Sequence, residues 1–296
     1  MKPQLHLPIR EVSSPANPTL KLFRRALAEG STREGWLAVE GPHLLEEALA
    51  AGAPTASFPH KRESTLPPVE AVPAPKVTVH SLLLAKSAAQ KFRGLLARLP
   101  EAAEIVEIPD KLFARISATE SPQGLAALVE VESPSLDALL GVPSTLLIVA
   151  CGVQEPGNMG TMVRSAQALG GKGVLALKST VSAFNPKAVR ASAGAIFRLP
   201  VVQGLEPRSL FDRLRHAGVR IIAAYRRGPV GLAEADLRGP VAVLIGREGT
   251  GLPEEVAREA TQHVAIPLRP GADSINAATA AGIFLYEAAR QRGFHY

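Results

Sequence analysis

The sequence predicts an α/β fold, with a parallel-sheet domain in the second half of the chain and a smaller α/β domain in the first. From Thr145 onward, short apolar runs alternate with amphipathic helical stretches, as in a parallel sheet covered by helices on both faces. The length of 296 residues, with 46% hydrophobic and 20% charged residues, allows two domains of roughly 150 residues, each with its own core.

The second half supplies the clearest pattern of strands and helices. Strands are predicted at Thr145–Cys151, Gly173–Leu177, Leu199–Val202, Val219–Ala224, Val241–Ile245 and His263–Ile266. Helices are predicted at Asn158–Leu169, Pro186–Ile196, Pro207–His216, Pro253–Glu259 and Ala277–Arg290. Continuous apolar strands connected by helices indicate parallel neighbours that are buried on both faces.

The first half is less regular. Helices are predicted at Asn17–Glu29, Pro42–Ala51 and Ala85–Leu96, and strands at Leu37–Val39, Val77–Val79 and Leu125–Val131. A segment rich in proline and small residues, Ala53–Pro75, interrupts this pattern, and Glu132–Ser135 has the composition of a linker. We therefore expect domains at residues 1–131 and 144–296, joined by a linker at 132–143.

The number of cysteines and the lengths of the apolar runs indicate the cellular compartment. Cys151 is the only cysteine, which excludes an internal disulfide and a metal site built from several thiolates. The sequence starts without a signal-peptide pattern, and every apolar run is shorter than the ~20 residues that a membrane-spanning helix needs. We expect a soluble protein in a reducing compartment, the cytoplasm.

The excess of positive charge is concentrated in the second half. Residues 1–130 contain 15 Lys and Arg against 14 Asp and Glu, whereas residues 131–296 contain 18 against 13. This balance is compatible with a polyanionic partner and equally with an ordinary basic soluble domain. Because aromatic residues make up only 4% of the chain, we expect any nucleic-acid contact to depend on backbone and shape rather than on base stacking.

Three polar loops follow predicted strands of the parallel sheet, where open α/β sheets bind ligands. The first contains Glu155–Gly160, and Arg164 follows six residues after Asn158. Asn158 stands where the N-cap of the next helix is expected, so Arg164 lies nearly two turns along that helix and its guanidinium can reach an anion near the sheet edge. A capped turn followed by a surface arginine explains the same residues without a ligand.

The second loop, Gly246–Pro253, has three glycines in six residues. Glycine lets the backbone approach a ligand closely or adopt a positive φ. Leu252 stands where the Walker A pattern requires Lys, and the Gly-x-Gly-x-x-Gly pattern is absent, so a nucleotide phosphate site is disfavoured. The loop is predicted to hold a non-phosphate ligand, with Glu248 as a polar contact.

The third loop, Pro267–Ala278, leads into an alanine-rich helix. Either Ser274 or Asn276 can cap this helix, which is the explanation that needs no ligand. The small alanines of the first turn allow close approach by a ligand or by a partner helix. Since all three loops follow parallel strands, together they predict one site at one edge of the sheet.

The three loops resemble the three motifs of the SpoU (TrmH-type) branch of the SPOUT RNA 2′-O-ribose methyltransferases. The resemblance covers residues 143–292 and rests on Glu155–Gly160 with Arg164, on Gly246–Leu252 and on Ile266–Asn276, in this order and at family-like spacing.

The first half is also similar to the substrate-binding domain of that family. The similar segments are Asn17-Pro18 leading into a helix, Ala38–Gly41, and Ser117–Gly124 with its Ser-Pro-Gln-Gly sequence. The resemblance therefore extends over both predicted domains.

This resemblance implies a specific fold, cofactor and site. It implies a deep trefoil knot in the C-terminal domain, which is an exception to unthreaded topology, an L30e-like N-terminal domain, and a homodimer formed through the C-terminal domain. It also implies RNA as substrate and S-adenosylmethionine bound in a bent form within the knot, without a metal. The implied active-site residues are Asn158, Arg164, Glu248, Ser274 and Asn276. The implied cofactor-binding residues are Gly246, Gly251, Leu252, Ile266, Leu268, Ile275 and Asn276.

Two positions depart from the family pattern. Glu155 stands where the family commonly has Asp, and Ala278 stands where it often has Ser. The first difference keeps a carboxylate, and the second removes a hydroxyl.

The chemistry implied is methyl transfer from a sulfonium to a ribose hydroxyl, an in-line displacement that requires a positioned and deprotonated oxygen. The family scheme uses the arginine of the first motif to activate the 2′-hydroxyl. Because arginine is a poor base, we hypothesise that Arg164 binds the adjacent phosphate and stabilises the developing alkoxide, while the proton leaves through phosphate or water.

Alternatives remain open for the substrate and for the chemistry. Ribosomal RNA is favoured, transfer RNA is the alternative, and a non-catalytic RNA-binding protein of the same fold is the competitor outside enzymes. Some RNA methyltransferases use a cysteine nucleophile, but Cys151 closes an apolar strand with no His or Lys close in sequence, so a buried core residue is the favoured interpretation.

Overall fold

Residues 8–53 and 72–295 are described by a computed structural model, and residues 54–71 of the predicted proline-rich segment lie outside that description. Within the described ranges, contacts divide the chain into two units. The first unit contains residues 8–53, 75–132 and 184–197, and the second contains residues 72–74, 133–183 and 198–295.

Strands and helices alternate along both units. The strands are β1 Ile9–Glu11, β2 Leu37–Glu40, β3 Lys76–Ala85, β4 Glu104–Ile108, β5 Leu125–Glu132, β6 Leu146–Ala150, β7 Gly173–Leu177, β8 Val201–Leu205, β9 Arg220–Tyr225, β10 Val230–Gly231, β11 Val241–Ile245 and β12 Gln262–Ala265. The helices are α1 Pro18–Glu29, α2 Pro42–Gly52, α3 Ala88–Lys91, α4 Arg93–Leu96, α5 Asp110–Ile116, α6 Leu136–Leu140, α7 Pro156–Ala168, α8 Pro186–Ala191, α9 Pro207–His216, α10 Glu254–Ala257 and α11 Ala277–Gln291.

The sheet of the first unit combines parallel and antiparallel pairs in the order β1-β4-β3-β5-β2. β5 runs antiparallel to both of its neighbours, whereas β1, β4 and β3 are parallel. Helix α1 begins as predicted: Asn17 Oδ1 accepts a hydrogen bond from the Thr19 backbone N at 2.9 Å, and Pro18 occupies the first helical position, where its missing N–H leaves no bond unmade.

Glu40 connects two of the segments that carry the family resemblance of this unit. Its carboxylate accepts hydrogen bonds from Ser117 Oγ at 2.5 Å, Thr119 Oγ1 at 2.6 Å and the Ala118 backbone N at 3.0 Å. The carboxyl end of β2 is thereby fixed to the turn after α5. The segments Ala38–Gly41 and Ser117–Gly124 therefore belong to one part of the first unit.

The second unit is built on seven strands in the order β10-β12-β9-β11-β6-β7-β8, and every neighbouring pair is parallel. This confirms the predicted α/β fold with a parallel sheet. The chain moves outward from β6 through β7 to β8 and then crosses to the far side of β11 for β9. The strand order thus reverses beside β6 and β11, and open α/β sheets bind ligands at the carboxyl ends of such strands.

Helices cover both faces of this sheet. Leu147, Val149 and Leu244 belong to a core cluster that includes the apolar residues of α6 and α9. The alternating residues Leu146 and Ile148 point to the opposite face, as strand geometry requires, and there α7 packs on β6 and β7 while α11 packs on α7 and β11.

Two segments differ from the expected domain boundaries. The predicted linker contains helix α6, which Ser135 Oγ caps by accepting a hydrogen bond from the Ala138 backbone N at 3.3 Å. Leu136 and Leu139 of α6 are buried in the core of the second unit, so this segment is part of that core. Residues 184–197, by contrast, pack in the first unit.

Local geometry explains the misplaced element ends. The helix predicted at Pro186–Ile196 ends at Ala191, because Ala193 and Gly194 have φ values of 49° and 87°, in the left-handed region that helices do not continue through. The start of the helix predicted at Ala85–Leu96 is the end of strand β3, and two short helices follow. No helix within residues 8–53 and 72–295 is long and apolar enough to cross a membrane.

Candidate active site

Polar side chains from all three predicted loops meet at the carboxyl edge of the second unit's sheet. Asn158 Nδ2 donates a hydrogen bond to Glu248 Oε1 at 2.6 Å, and Asn158 Oδ1 accepts one from Asn276 Nδ2 at 2.9 Å. We call this series Glu248–Asn158–Asn276 the polar row. It brings together three of the five predicted active-site residues, one from each loop.

The prediction that Asn158 caps its helix is wrong. Helix α7 begins two residues earlier at Pro156, and Glu155 is the N-cap, its side chain accepting a hydrogen bond from the Gly157 backbone N at 3.4 Å. A proline at the first helical position favours this earlier start. Asn158 is consequently inside the first turn, and its amide is free to join the polar row.

Asn276 both caps α11 and orients the polar row. Its Oδ1 accepts hydrogen bonds from the backbone N of Ala278 at 2.8 Å and of Thr279 at 3.1 Å, as one of the two predicted caps. With that oxygen engaged, the Asn276 amide presents its NH₂ to Asn158, which must then present its own NH₂ to Glu248. A carboxylate accepts only, so the direction of every bond in the row is determined.

Glu248 is held as a carboxylate. Partial burial raises its pKa, but the hydrogen bond from Asn158 and those from backbone N–H groups lower it by more, so the pKa lies below the usual value for glutamate. One of these donors is the Gln154 backbone N, at 3.3 Å. The Glu248 carboxylate is therefore ionised at neutral pH and is a weak general base.

A cavity of about 270 Å³ lies next to the polar row. Its lining includes five of the seven predicted cofactor-binding residues, Gly246, Gly251, Ile266, Leu268 and Ile275. Glu248 and Ser274 line it as well, and Phe284 of α11 contributes an aromatic side chain. The mixture of apolar walls with a few polar groups is typical of a small-molecule site.

The two remaining predicted cofactor-binding residues do not line this cavity. Leu252 packs its side chain against the core cluster of the second unit, whereas Gly246 and Gly251 of the same loop line the cavity. Asn276 faces a shallow groove between α7 and α11, which Asn158, Thr161, Ile283 and Tyr286 also line.

The glycines of the second loop allow its backbone to fold back closely on itself. Arg247 and Gly251 exchange two backbone hydrogen bonds of 2.9 Å, and Gly249 and Gly251 adopt φ values of 81° and 75°. A Cβ on Gly246 would lie 2.3 Å from the carbonyl carbon of Gly251. The tight turn that forms one wall of the cavity thus requires these three glycines.

Arg164 is exposed and lies outside the polar row, the cavity beside that row and the groove between α7 and α11. Six residues at 3.6 per turn place it about 120° around α7 from Asn158. It forms no hydrogen bond or ion pair with any residue that the structure describes. Its guanidinium is therefore available to an external anion, which is consistent with a phosphate contact and equally with a solvated arginine.

Sequence reasoning missed the loop after β9. Tyr225 and Arg226 line the cavity, and the Arg226 guanidinium is 2.7 Å from Asp273 Oδ1 of the third loop. β9 lies between β11 and β12 in the sheet, so its carboxyl end shares the same edge. These residues belong to no recognised motif. The sequence feature that could have identified them is their position directly after a predicted strand.

Cys151 is a buried core residue, as predicted. Its side chain is 1% exposed, and its Sγ donates a hydrogen bond to the Val149 carbonyl oxygen at 3.4 Å. Burial raises the pKa of this thiol far above its usual range, so the thiolate needed for nucleophilic attack is absent at neutral pH.

Replacing Glu248 tests the polar row. Glu248→Ala leaves the Asn158 amide and the Gln154 N–H without their acceptor, and charge-assisted hydrogen bonds contribute about 1.5–3 kcal/mol, so we expect ligand affinity of the cavity to fall about 10–100-fold by calorimetry. Glu248→Gln keeps one acceptor oxygen for Asn158 Nδ2 but turns an NH₂ toward the Gln154 N–H, so its affinity should fall less than that of Glu248→Ala. Since the carboxylate pKa is lowered, wild type and Glu248→Gln should share one pH profile above about pH 5. Equal losses in the two variants would contradict this role.

Comparisons with known protein families match both units. The family model of the SpoU rRNA Methylase family matches residues 145–286, and that of the MRM3-like substrate binding domain matches residues 17–127. The first match contains all three loops of the site. The second contains the segments joined by Glu40.

Individual relatives are similar to this chain over most of its length. This chain is 33% identical over 207 residues to the 23S rRNA (uridine(2479)-2′-O)-methyltransferase of Streptomyces viridochromogenes, and the match covers 68% of this chain and 72% of the relative. It is 27% identical over 279 residues to the 23S rRNA (guanosine(2553)-2′-O)-methyltransferase of Bacillus subtilis, covering 94% and 98%. The crystal structure of the SpoU methyltransferase AviRb from Streptomyces viridochromogenes with the cofactor AdoMet superposes with a TM-score of 0.77 at 26% identity, covering 93% of this chain and 98% of that one.

Proposed function

Because this chain belongs to the SpoU rRNA methylase family, we propose that it transfers a methyl group from S-adenosylmethionine to a ribose 2′-hydroxyl in RNA, with ribosomal RNA as the favoured substrate. The observation that carries the proposal is the polar row Glu248–Asn158–Asn276 beside a cavity that five of the seven predicted cofactor-binding residues line. The two named relatives act on a uridine and a guanosine, so the family does not fix the target base.

The cavity fits S-adenosylmethionine. Apolar walls from Ile266, Leu268 and Ile275 suit an adenine ring, and the loop backbone from Gly246 to Gly251 offers hydrogen bonds at close range. Glu248 is the one carboxylate among the described residues that line it. When bound, S-adenosylmethionine supplies the methyl group.

The residues around the cavity position the acceptor and favour loss of its proton. The polar row fixes the Asn158 and Asn276 amides, so their remaining N–H groups and the exposed Ser274 hydroxyl can orient a ribose at the cavity mouth. Arg164 binds the phosphate next to the target ribose and stabilises the alkoxide as it forms. The hydroxyl proton leaves to that phosphate or to water.

The first unit binds the RNA. It matches a substrate-binding domain, and Glu40 holds the turn at residues 117–119 by three hydrogen bonds. The net charge of residues 1–130 is close to zero, with 15 basic against 14 acidic residues. We propose that this unit recognises RNA shape through a defined surface, since its charge alone provides little attraction.

The second unit forms a homodimer through α7 and α11. Tyr286 lines the groove between these helices, is 53% exposed and is in ring contact with Phe294, which is 45% exposed. Tyr286→Glu is expected to shift the protein to a monomer in size-exclusion chromatography with light scattering, because a charge is then buried without a partner. Ser209→Glu on α9 is the control and should stay dimeric. A wild-type monomer, or a dimeric Tyr286→Glu variant, would contradict this proposal.

Tritium transfer from labelled S-adenosylmethionine tests the activity. We expect label in ribosomal RNA and little in transfer RNA; the reverse would select the transfer-RNA alternative, and calorimetric cofactor binding without transfer to either would indicate a non-catalytic RNA-binding protein. Mapping ribose methylation in ribosomal RNA from a deletion strain then identifies the nucleotide, as the 2′-O-methyl group that is lost.

A further inference from the structure

A second polar cavity lies at the opposite edge of the second unit's sheet, where β6 and β7 begin and α7 and α11 end. Its volume is about 150 Å³, and its polar lining is Ser144, Lys172, Arg238, Arg292 and His295. No Asp or Glu is among the described residues that line it. Positive charge is thus collected at a place removed from the candidate active site.

Lys172 is a half-buried cation without a counterion. Its side chain forms no hydrogen bond or ion pair within the described part of the chain. Burial and, to a lesser extent, repulsion from Arg292 lower its pKa. A cation that loses hydration is normally stabilised by a nearby anion, and the described residues supply none at this position.

Arg292 is satisfied by neutral groups only. Its guanidinium donates hydrogen bonds to the carbonyl oxygens of Gly239 at 2.6 Å, Ser144 at 2.7 Å, Leu237 at 2.9 Å and Thr145 at 3.4 Å, which leaves one of its five N–H groups free. These bonds fix the guanidinium plane but bring no full negative charge. Arg238 differs, because its Nε is 2.9 Å from Asp236 Oδ1. Lys172 and Arg292 are therefore the two uncompensated cations of the cavity among the described residues.

Ser144 is an independent observation at this cavity. Its Oγ is buried and has no hydrogen-bond partner among the described residues. Buried polar side-chain atoms in proteins are nearly always hydrogen-bonded. A hydroxyl beside two cations is satisfied by an acceptor that carries negative charge.

We propose that this cavity binds a phosphate group. A tetrahedral oxyanion accepts hydrogen bonds from Lys172 Nζ and from an Arg292 N–H that the carbonyls leave free, and it neutralises both cations. Rotation of the Ser144 side chain toward the cavity adds a third hydrogen bond, from its Oγ. The volume is well above the ~10–15 Å³ that one water requires. The phosphate is either a free ion or a backbone phosphate of the RNA. The site is separate from the methyl-transfer site and does not depend on the proposed function.

Thermal unfolding in inorganic phosphate, against chloride at equal ionic strength, tests the site directly. A ligand that binds the folded state raises the melting temperature, so we expect phosphate to stabilise the wild type and the control Lys178→Met, whose exposed lysine pairs with Glu206. Lys172→Met and Ser144→Ala should bind phosphate at least about tenfold more weakly, because each loses a hydrogen bond to a charged group. Without phosphate, Lys172→Met should melt at or above the wild-type temperature, because an unpaired charge is removed.

RNA binding at several salt concentrations distinguishes the two sources of phosphate. If the site holds an RNA phosphate, Lys172→Met lowers the slope of log affinity against log salt by about 1. An unchanged slope, with phosphate-dependent stabilisation that Lys172→Met loses, identifies a free ion. Equal phosphate stabilisation of wild type and Lys172→Met, together with equal salt slopes, would refute the site. Neither readout requires methyl transfer, so failure here is distinguishable from failure of the proposed activity.

Discussion

Arg164→Ala is expected to lower the rate of methyl transfer by about 10²–10³-fold, the typical loss when one stabiliser of a developing oxyanion is removed. Arg164 is exposed on α7 and has no partner among the described residues, so its removal disturbs no internal contact. Calorimetry should therefore give unchanged S-adenosylmethionine affinity, and the loss should appear in single-turnover transfer at saturating RNA. Arg164→Lys keeps the charge but loses the planar fork, and its rate should also fall.

The matched control for this prediction is Arg213→Ala. Arg213 lies on α9, on the opposite face of the sheet, where its guanidinium pairs with Asp137. Its removal changes the net charge by the same amount without approaching the proposed site, so the transfer rate should stay at the wild-type level. Near-wild-type turnover of either Arg164 variant would show that the arginine has no part in the reaction.

The sequence predicts the second unit better than the first for a physical reason. Strands buried on both faces are continuous apolar runs bounded by polar loops. The predicted bounds of Gly173–Leu177 and Val241–Ile245 match the observed ones, and the other four predicted strands of this sheet overlap observed strands with shifted ends. In the first unit, the run from Leu82 to Ala85 is equally compatible with a helix and with a buried strand. Its pairing with β4 and β5 decides in favour of the strand, and such pairing is a long-range interaction that local patterns do not contain.

The site was predictable as an edge of the sheet but not as a hydrogen-bonded arrangement. Placement after parallel strands was enough to expect Glu248, Asn158 and Asn276 near one another. The bonds between them depend on the start of α7 at Pro156, which frees the Asn158 amide, and on the Asn276 cap, which sets the direction of the row. Arg226 was missed because its contact with Asp273 joins two loops that carry no common motif.

Gly246→Ala is expected to remove most of the affinity for S-adenosylmethionine. A Cβ at this position would lie 2.3 Å from Gly251 C and 2.4 Å from Leu252 N, and both atoms are backbone, so the turn has to open. Overpacking of this kind costs about 1–3 kcal/mol, which corresponds to about 5–150-fold in affinity by calorimetry and lowers the melting temperature by about 2–4 °C for each kcal/mol. Gly231→Ala is the control, because φ −72° and ψ 147° suit alanine and the nearest atom to the added Cβ is a Glu234 carboxylate oxygen at 3.7 Å, an ordinary contact distance. If Gly246→Ala bound the cofactor as tightly as Gly231→Ala, the turn at 246–251 would not form a wall of the cofactor site.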